Sequence, residues 1–117
     1  MLGETMRTAS IKSLPPETVK EGVKRWILVV GERMMLALYE IDEGVTFPLH
    51  SHPHEQVGYI VSGRIEHRTP TGSEILEAGT GYIFPSNEPH ETYNPGPGPV
   101  IVLDVFSPPR EDYLKRK

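Results

Sequence analysis

The chain has 117 residues, with 12 Lys and Arg against 16 Asp and Glu, a net charge of −4 and no cysteine. That length holds one domain with a core of its own and leaves no room for a second. The missing cysteines exclude disulfide scaffolds, zinc fingers, iron–sulfur sites and thiol catalysis, and the acidic balance argues against nucleic acid or an anionic membrane as partner. No apolar run approaches the roughly 20 residues that span a bilayer. The first ten residues carry a glutamate and no apolar signal core, so a soluble cytoplasmic protein is expected. Eleven glycines and twelve prolines fall as punctuation between apolar runs, the pattern of short strands and tight turns. Asn87, Asn94 and Gln56 are the only side-chain amides. With the absent cysteine, that depletion points to a thermophilic source.

In chain order, residues 1–22 are polar, contain Pro15-Pro16 and read as an arm with a short strand around Ile11. Strands are predicted from Val23 to Val30 and from Arg33 to Ile41, with Gly31-Glu32 as a two-residue hairpin turn. Asp42-Glu43-Gly44 is a further turn, and Pro48 restricts the next strand to an edge or a bulge. Gln56–Val61 and Arg64–Arg68 are strands joined at Ser62-Gly63. Glu74–Ala78 and Tyr82–Phe84 follow, separated by Gly79-Thr80-Gly81. The run Asn94-Pro-Gly-Pro-Gly-Pro99 cannot pair in a ladder and is a loop. Val100–Phe106 is the last and most apolar strand, and Arg110–Lys117 allows one or two helical turns. About nine strands and almost no helix predict an all-β sandwich or barrel.

His50 and His52 stand two apart on an extended segment, so both imidazoles project from one face. Gln56 begins the next strand, and His90 lies downstream of Pro85. Three imidazoles and an amide oxygen from neighbouring strands would make a four-ligand site for one divalent metal, with room for water or substrate. Taken alone, His-x-His is as well explained by surface histidines flanking Pro53. Glu55, one residue before Gln56, should point to the opposite face unless Pro53-His54 forms a bulge. His54 and His67 fit no ligand spacing and are expected to be solvated or packed. In the last strand Asp104 shares a face with Val100, Val102 and Phe106, and both faces are apolar. A carboxylate there needs partners. It is either a structural aspartate or an acid–base group with a shifted pKa. Arg110 follows the Ser107-Pro108-Pro109 bend, from which it could swing over the barrel mouth to hold a carboxylate or point into solvent.

The spacing of the glycines and Pro85 adds more. Gly44, five residues, His50-Ser51-His52, three residues, Gln56, six residues and Gly63 make one run. Gly79, five residues, Pro85, one residue, Asn87, two residues, His90, three residues and Asn94 make another. These resemble the two motifs of the cupin superfamily, with Gln56 where cupins usually carry Glu and Asn87 where they usually carry Gly. Asn also tolerates a positive φ, so the turn can survive. The resemblance implies a double-stranded β-helix, a jelly-roll barrel over residues 23–110 between the N-terminal arm and a tail at 111–117. It also implies a divalent metal, one of Ni, Zn, Mn, Fe or Co, held by His50, His52, Gln56 and His90. With Gln in place of Glu every ligand is neutral, which leaves the full charge on the ion and favours Lewis-acid chemistry over the oxygen chemistry of histidine–carboxylate iron sites.

Two further segments narrow the resemblance. Asp104-Val-Phe-Ser-Pro-Pro-Arg110 and the run from His50 to Tyr59 are similar to the signatures of the pectin-degradation cupins. That similarity implies an enzyme converting 4,5-unsaturated uronates, from pectin or alginate, to the linear 5-keto-4-deoxyuronate. Asp104, Phe106 and Arg110 would line its active site beside the metal. It further implies a homodimer acting on a small anionic sugar. A cupin dioxygenase and a non-catalytic sugar- or anion-binding cupin are the alternatives.

Overall fold

Apolar residues alternating with polar ones, broken by Gly and Pro, give short strands that bury one face each. A computed structural model describes residues 5–114. The strands are β1 (Glu17–Lys20), β2 (Val23–Val30), β3 (Met35–Ile41), β4 (Thr46–His50), β5 (Glu55–Ser62), β6 (Arg64–Thr69), β7 (Gly72–Glu77), β8 (Gly81–Phe84), β9 (His90–Tyr93) and β10 (Val100–Ser107), followed by α1 (Glu111–Leu114). They form a six-stranded sheet, β1-β2-β3-β10-β5-β8, and a four-stranded sheet, β4-β9-β6-β7, with antiparallel pairing throughout. From β3 onward the chain crosses repeatedly between the sheets, which is the winding of a jelly-roll double-stranded β-helix.

The core lies between the inner faces. Val100, Val102 and Phe106 of β10 meet Met35, Ala37, Tyr39 and Ile41 of β3, Ile60 of β5 and Ile65 of β6. Each fully buried branched side chain contributes about 2 kcal/mol. This core fills one part of the barrel, and polar side chains occupy the rest.

Several predicted elements shift. No strand forms around Ile11, where residues 11–14 make a turn; the arm's strand is β1, paired with β2. Gly31-Glu32 is not a two-residue turn. Val30 pairs with Met35, so Arg33 and Met34 join a four-residue connection closed by Gly31 N–H donating to Met34 O. A bulge between Ile27 and Val29 absorbs the change of register. β9 has no counterpart in the prediction, because only four residues separate Pro89 from Asn94 and their alternation is brief. Pro48 does sit on an edge strand, beside a bulge. Of the predicted C-terminal helix only α1 falls in the described residues; residues 115–117 lie outside them.

Candidate functional site

His50 closes β4 and His90 opens β9, where the two are direct partners in register. His52 follows on the segment between β4 and β5. One ring nitrogen of each of the three lies within 4.8 Å of the others. Every Nδ1 donates to a backbone carbonyl two residues away: His50 to Pro48 (2.9 Å), His52 to His54 (3.0 Å) and His90 to Glu88 (2.9 Å). A carbonyl only accepts, so Nδ1 carries the proton and Nε2 keeps its lone pair. Aromatic rings fix the planes. Phe84 stacks on His90 at 4.1 Å, and Phe106 and Phe47 pack against His52 and His50. The turn of the second motif is tied to the first by Asn87 N–H donating to His52 O at 2.8 Å. Asn87 takes φ 67°, so the replacement for glycine keeps the turn.

Gln56 stands beside this group. Its Oε1 lies 3.2 Å from His52 Nε2, two lone pairs that a shared cation would satisfy. Ligand atoms about 2.1 Å from an ion stand roughly 3.0–3.4 Å apart, which matches the His52–Gln56 pair, and imidazole with amide oxygen suits a borderline divalent metal. Burial holds His90 down to about 4 and also lowers His52, with Arg110 adding to both; neutral imidazoles are the form that binds a cation. Glu55 is exposed on the opposite face of β5, as its register requires.

Asp104 lies in the same interior, 5 % exposed. Burial pushes its carboxyl up to about 7, against the opposing hydrogen bonds from Tyr82 and Gln56. Tyr82 Oη donates to Asp104 Oδ1, and Gln56 lines the same cavity. Gln56 turns its oxygen to His52. The register explains the approach: Gly58 stands between Tyr82 on β8 and Asp104 on β10. A Cβ at position 58 would collide with the Tyr82 ring and hydroxyl and with Asp104 Oδ1.

Arg110 turns back over the mouth and is 7 % exposed. Asp112 grips one edge of its guanidinium, at Nε (3.1 Å) and Nη2 (2.8 Å), while Nη1 is buried without a partner. Tyr113 lies 4.0 Å beneath it and is stacked from elsewhere by Arg25 at 3.7 Å. His50, His90, Gln56, Tyr82, Asp104, Phe106 and Arg110 all line one cavity.

The cupin-domain family model matches residues 37–106. The chain is a cupin. It is 31% identical to the pectin degradation protein KdgF of Dickeya dadantii over 101 residues, 86% of this chain and 91% of that protein. The structure of KdgF from a Halomonas species superposes with a TM-score of 0.85 at 26% identity, covering 92% of this chain and 99% of that one. An RmlC-like cupin from Shewanella frigidimarina gives 0.81 at 28% identity, with the same coverage.

Sequence reasoning missed Tyr82 and Gly58 in this cupin. An isolated glycine inside a strand marks a close approach of another group, and Gly58 was such a signal. Its partners come from β8 and β10, however, and only register reveals them. His67, set aside by ligand spacing, also faces the cavity.

Proposed function

We propose that this cupin linearises a 4,5-unsaturated uronate, as released from pectin or alginate, to the 5-keto-4-deoxyuronate. One observation carries the reading: a buried carboxylic acid near neutrality, Asp104, shares a cavity with an imidazole cluster and with the unpaired edge of Arg110. The likeness to proteins named for pectin degradation supports the substrate class.

A divalent ion held by His50, His52, Gln56 and His90 would supply Lewis-acid polarisation of a sugar hydroxyl or ring oxygen. The chain's own residues do the rest. Arg110 holds the substrate carboxylate through Nη1, while Asp112 and Tyr113 fix the guanidinium plane. Phe106 shapes the wall beside His52. Asp104 takes the proton of the anomeric hydroxyl as the C1–O5 bond breaks. C1 becomes the aldehyde, O5 stays on C5 as an enolate, and Asp104 returns the same proton to C4 as the enolate becomes the ketone. No atom is gained or lost, so one carboxyl serves both steps. A pKa near neutrality suits that double duty, and Tyr82 aims the carboxyl.

Asp104→Asn should abolish most turnover and leave metal content and fold intact, and Arg110→Ala should act mainly through KM. Full activity in either variant would remove that residue's role. We further assign the outer face of the six-stranded sheet, where Val57, Tyr59, Val61 and Ile83 are exposed, to pairing with a second copy of the chain.

A further inference from the structure

Among the described residues, four buried side-chain atoms lack a partner: Trp26 Nε1, His54 Nδ1, His67 Nε2 and Arg110 Nη1. Two of these residues, His67 and Arg110, line the cavity. They lie on different walls: Arg110 on the C-terminal segment, His67 on β6 of the four-stranded sheet. His67 is 7 % exposed and stands in register with Thr92 of β9, whose Oγ1 is 2.9 Å from His67 Nδ1. Its ring is held between Tyr82 (4.4 Å) and Phe84 (4.9 Å), and Phe84 separates it from His90. The ring also backs onto an open groove beside Gly72–Glu74, but Thr92, which fixes its rotation, borders the cavity and not the groove.

A packing role accounts for none of this. Leu or Phe would fill the same space without burying an unpaired nitrogen, which is costly. A ligand in the cavity can supply the missing partner. We propose that His67 is a substrate-binding residue whose Nε2 hydrogen-bonds a ring hydroxyl of the uronate held at its carboxylate by Arg110. A hydroxyl both donates and accepts, so it suits either tautomer that Thr92 sets. Two contacts on two walls would fix the orientation of the sugar relative to Asp104. The inference rests on the uronate reading.

The test uses zinc-loaded protein and two ligands that cannot react: galacturonate, which carries hydroxyls, and cyclohexanecarboxylate, which does not. His67→Leu should weaken galacturonate binding about threefold to tenfold, the loss of one hydrogen bond. His67→Gln should recover part of it, and neither variant should change the affinity for cyclohexanecarboxylate. In the wild type, galacturonate should shift the His67 Nε2 nitrogen resonance. Unchanged galacturonate affinity, equal loss for both ligands or an unmoved resonance would overturn the role of His67 alone. Failure of the wild type to bind galacturonate at all would overturn the uronate reading and this inference with it.

Discussion

A methyl group at position 58 would fill the space through which Tyr82 reaches Asp104, so Gly58→Ala should displace the hydroxyl and release the carboxylate. A misplacement of that size costs on the order of 10²-fold in turnover, and metal content should not change, because the atoms nearest a Cβ there belong to Tyr82 and Asp104. Loss of the metal in Gly58→Ala would show that position 58 acts through the histidine cluster and not through Asp104. His67 makes a separate prediction about pH. Burial lowers it from 6.5 to about 3 in the folded chain. Between those values the unfolded state binds a proton that the folded state refuses. Its stabilising contribution is therefore complete above pH 6.5 and is lost as pH falls towards 3. From pH 7 to pH 5 the loss is about 2 kcal/mol. Denaturant unfolding of metal-free wild type and His67→Gln at both pH values should show the variant losing less by that amount. Parallel losses would contradict it.

Among the elements, the loop from Asn94 to Pro99 has no ladder of its own and is held by side chains: Arg64 Nε donates to Gly96 O (2.8 Å), Gly98 N–H donates to Glu43 (2.8 Å), and Asn94 makes the most contacts. Asn94 donates to Ile41 O (2.9 Å) and Gly98 O (3.0 Å) and accepts from Gly96 N–H (2.8 Å), at 1 % exposure. Asn94→Ala strands these groups and should destabilise by about 3 kcal/mol, measured by chemical denaturation, with the histidine cluster still able to bind metal. A cost below about 1 kcal/mol would mean that water replaces the amide. Element boundaries in the sequence were legible where Gly and Pro stop a long alternation, as at Gly63 and Gly79. They were illegible where the alternation is short: β9 is four residues, and its identity comes from pairing with β4 and β6. The connection after β2 was misplaced because a bulge at Ile27–Val29 changes the register that a two-residue turn assumes.

For the whole molecule, the histidine pattern was legible because each of its two runs has a local spacing, one around the end of β4 and one around the turn before β9. The group around Asp104 was not, because Tyr82, Gly58 and Gln56 reach it only through the order β10-β5-β8. The outer face of that sheet carries the half-buried Leu36, Leu38, Leu103 and Val105 beside the exposed Val57, Tyr59, Val61 and Ile83. An unpartnered apolar face this broad favours self-association. Light scattering should give the mass of a dimer, and Val57→Lys with Ile83→Lys should give a monomer. A wild-type monomer at micromolar concentration would contradict that assignment.

In the proposed reaction Asp104, beside the histidine cluster, opens and ketonises an unsaturated uronate. The direct measurement follows the absorbance of the conjugated double bond after a lyase releases unsaturated galacturonate in the presence of metal-loaded protein. The account predicts loss well above the spontaneous rate, with Asp104→Asn returning it to that rate at unchanged metal content. A wild-type rate equal to the spontaneous one with nickel, zinc, manganese, iron or cobalt, or a fully active Asp104→Asn, would contradict it.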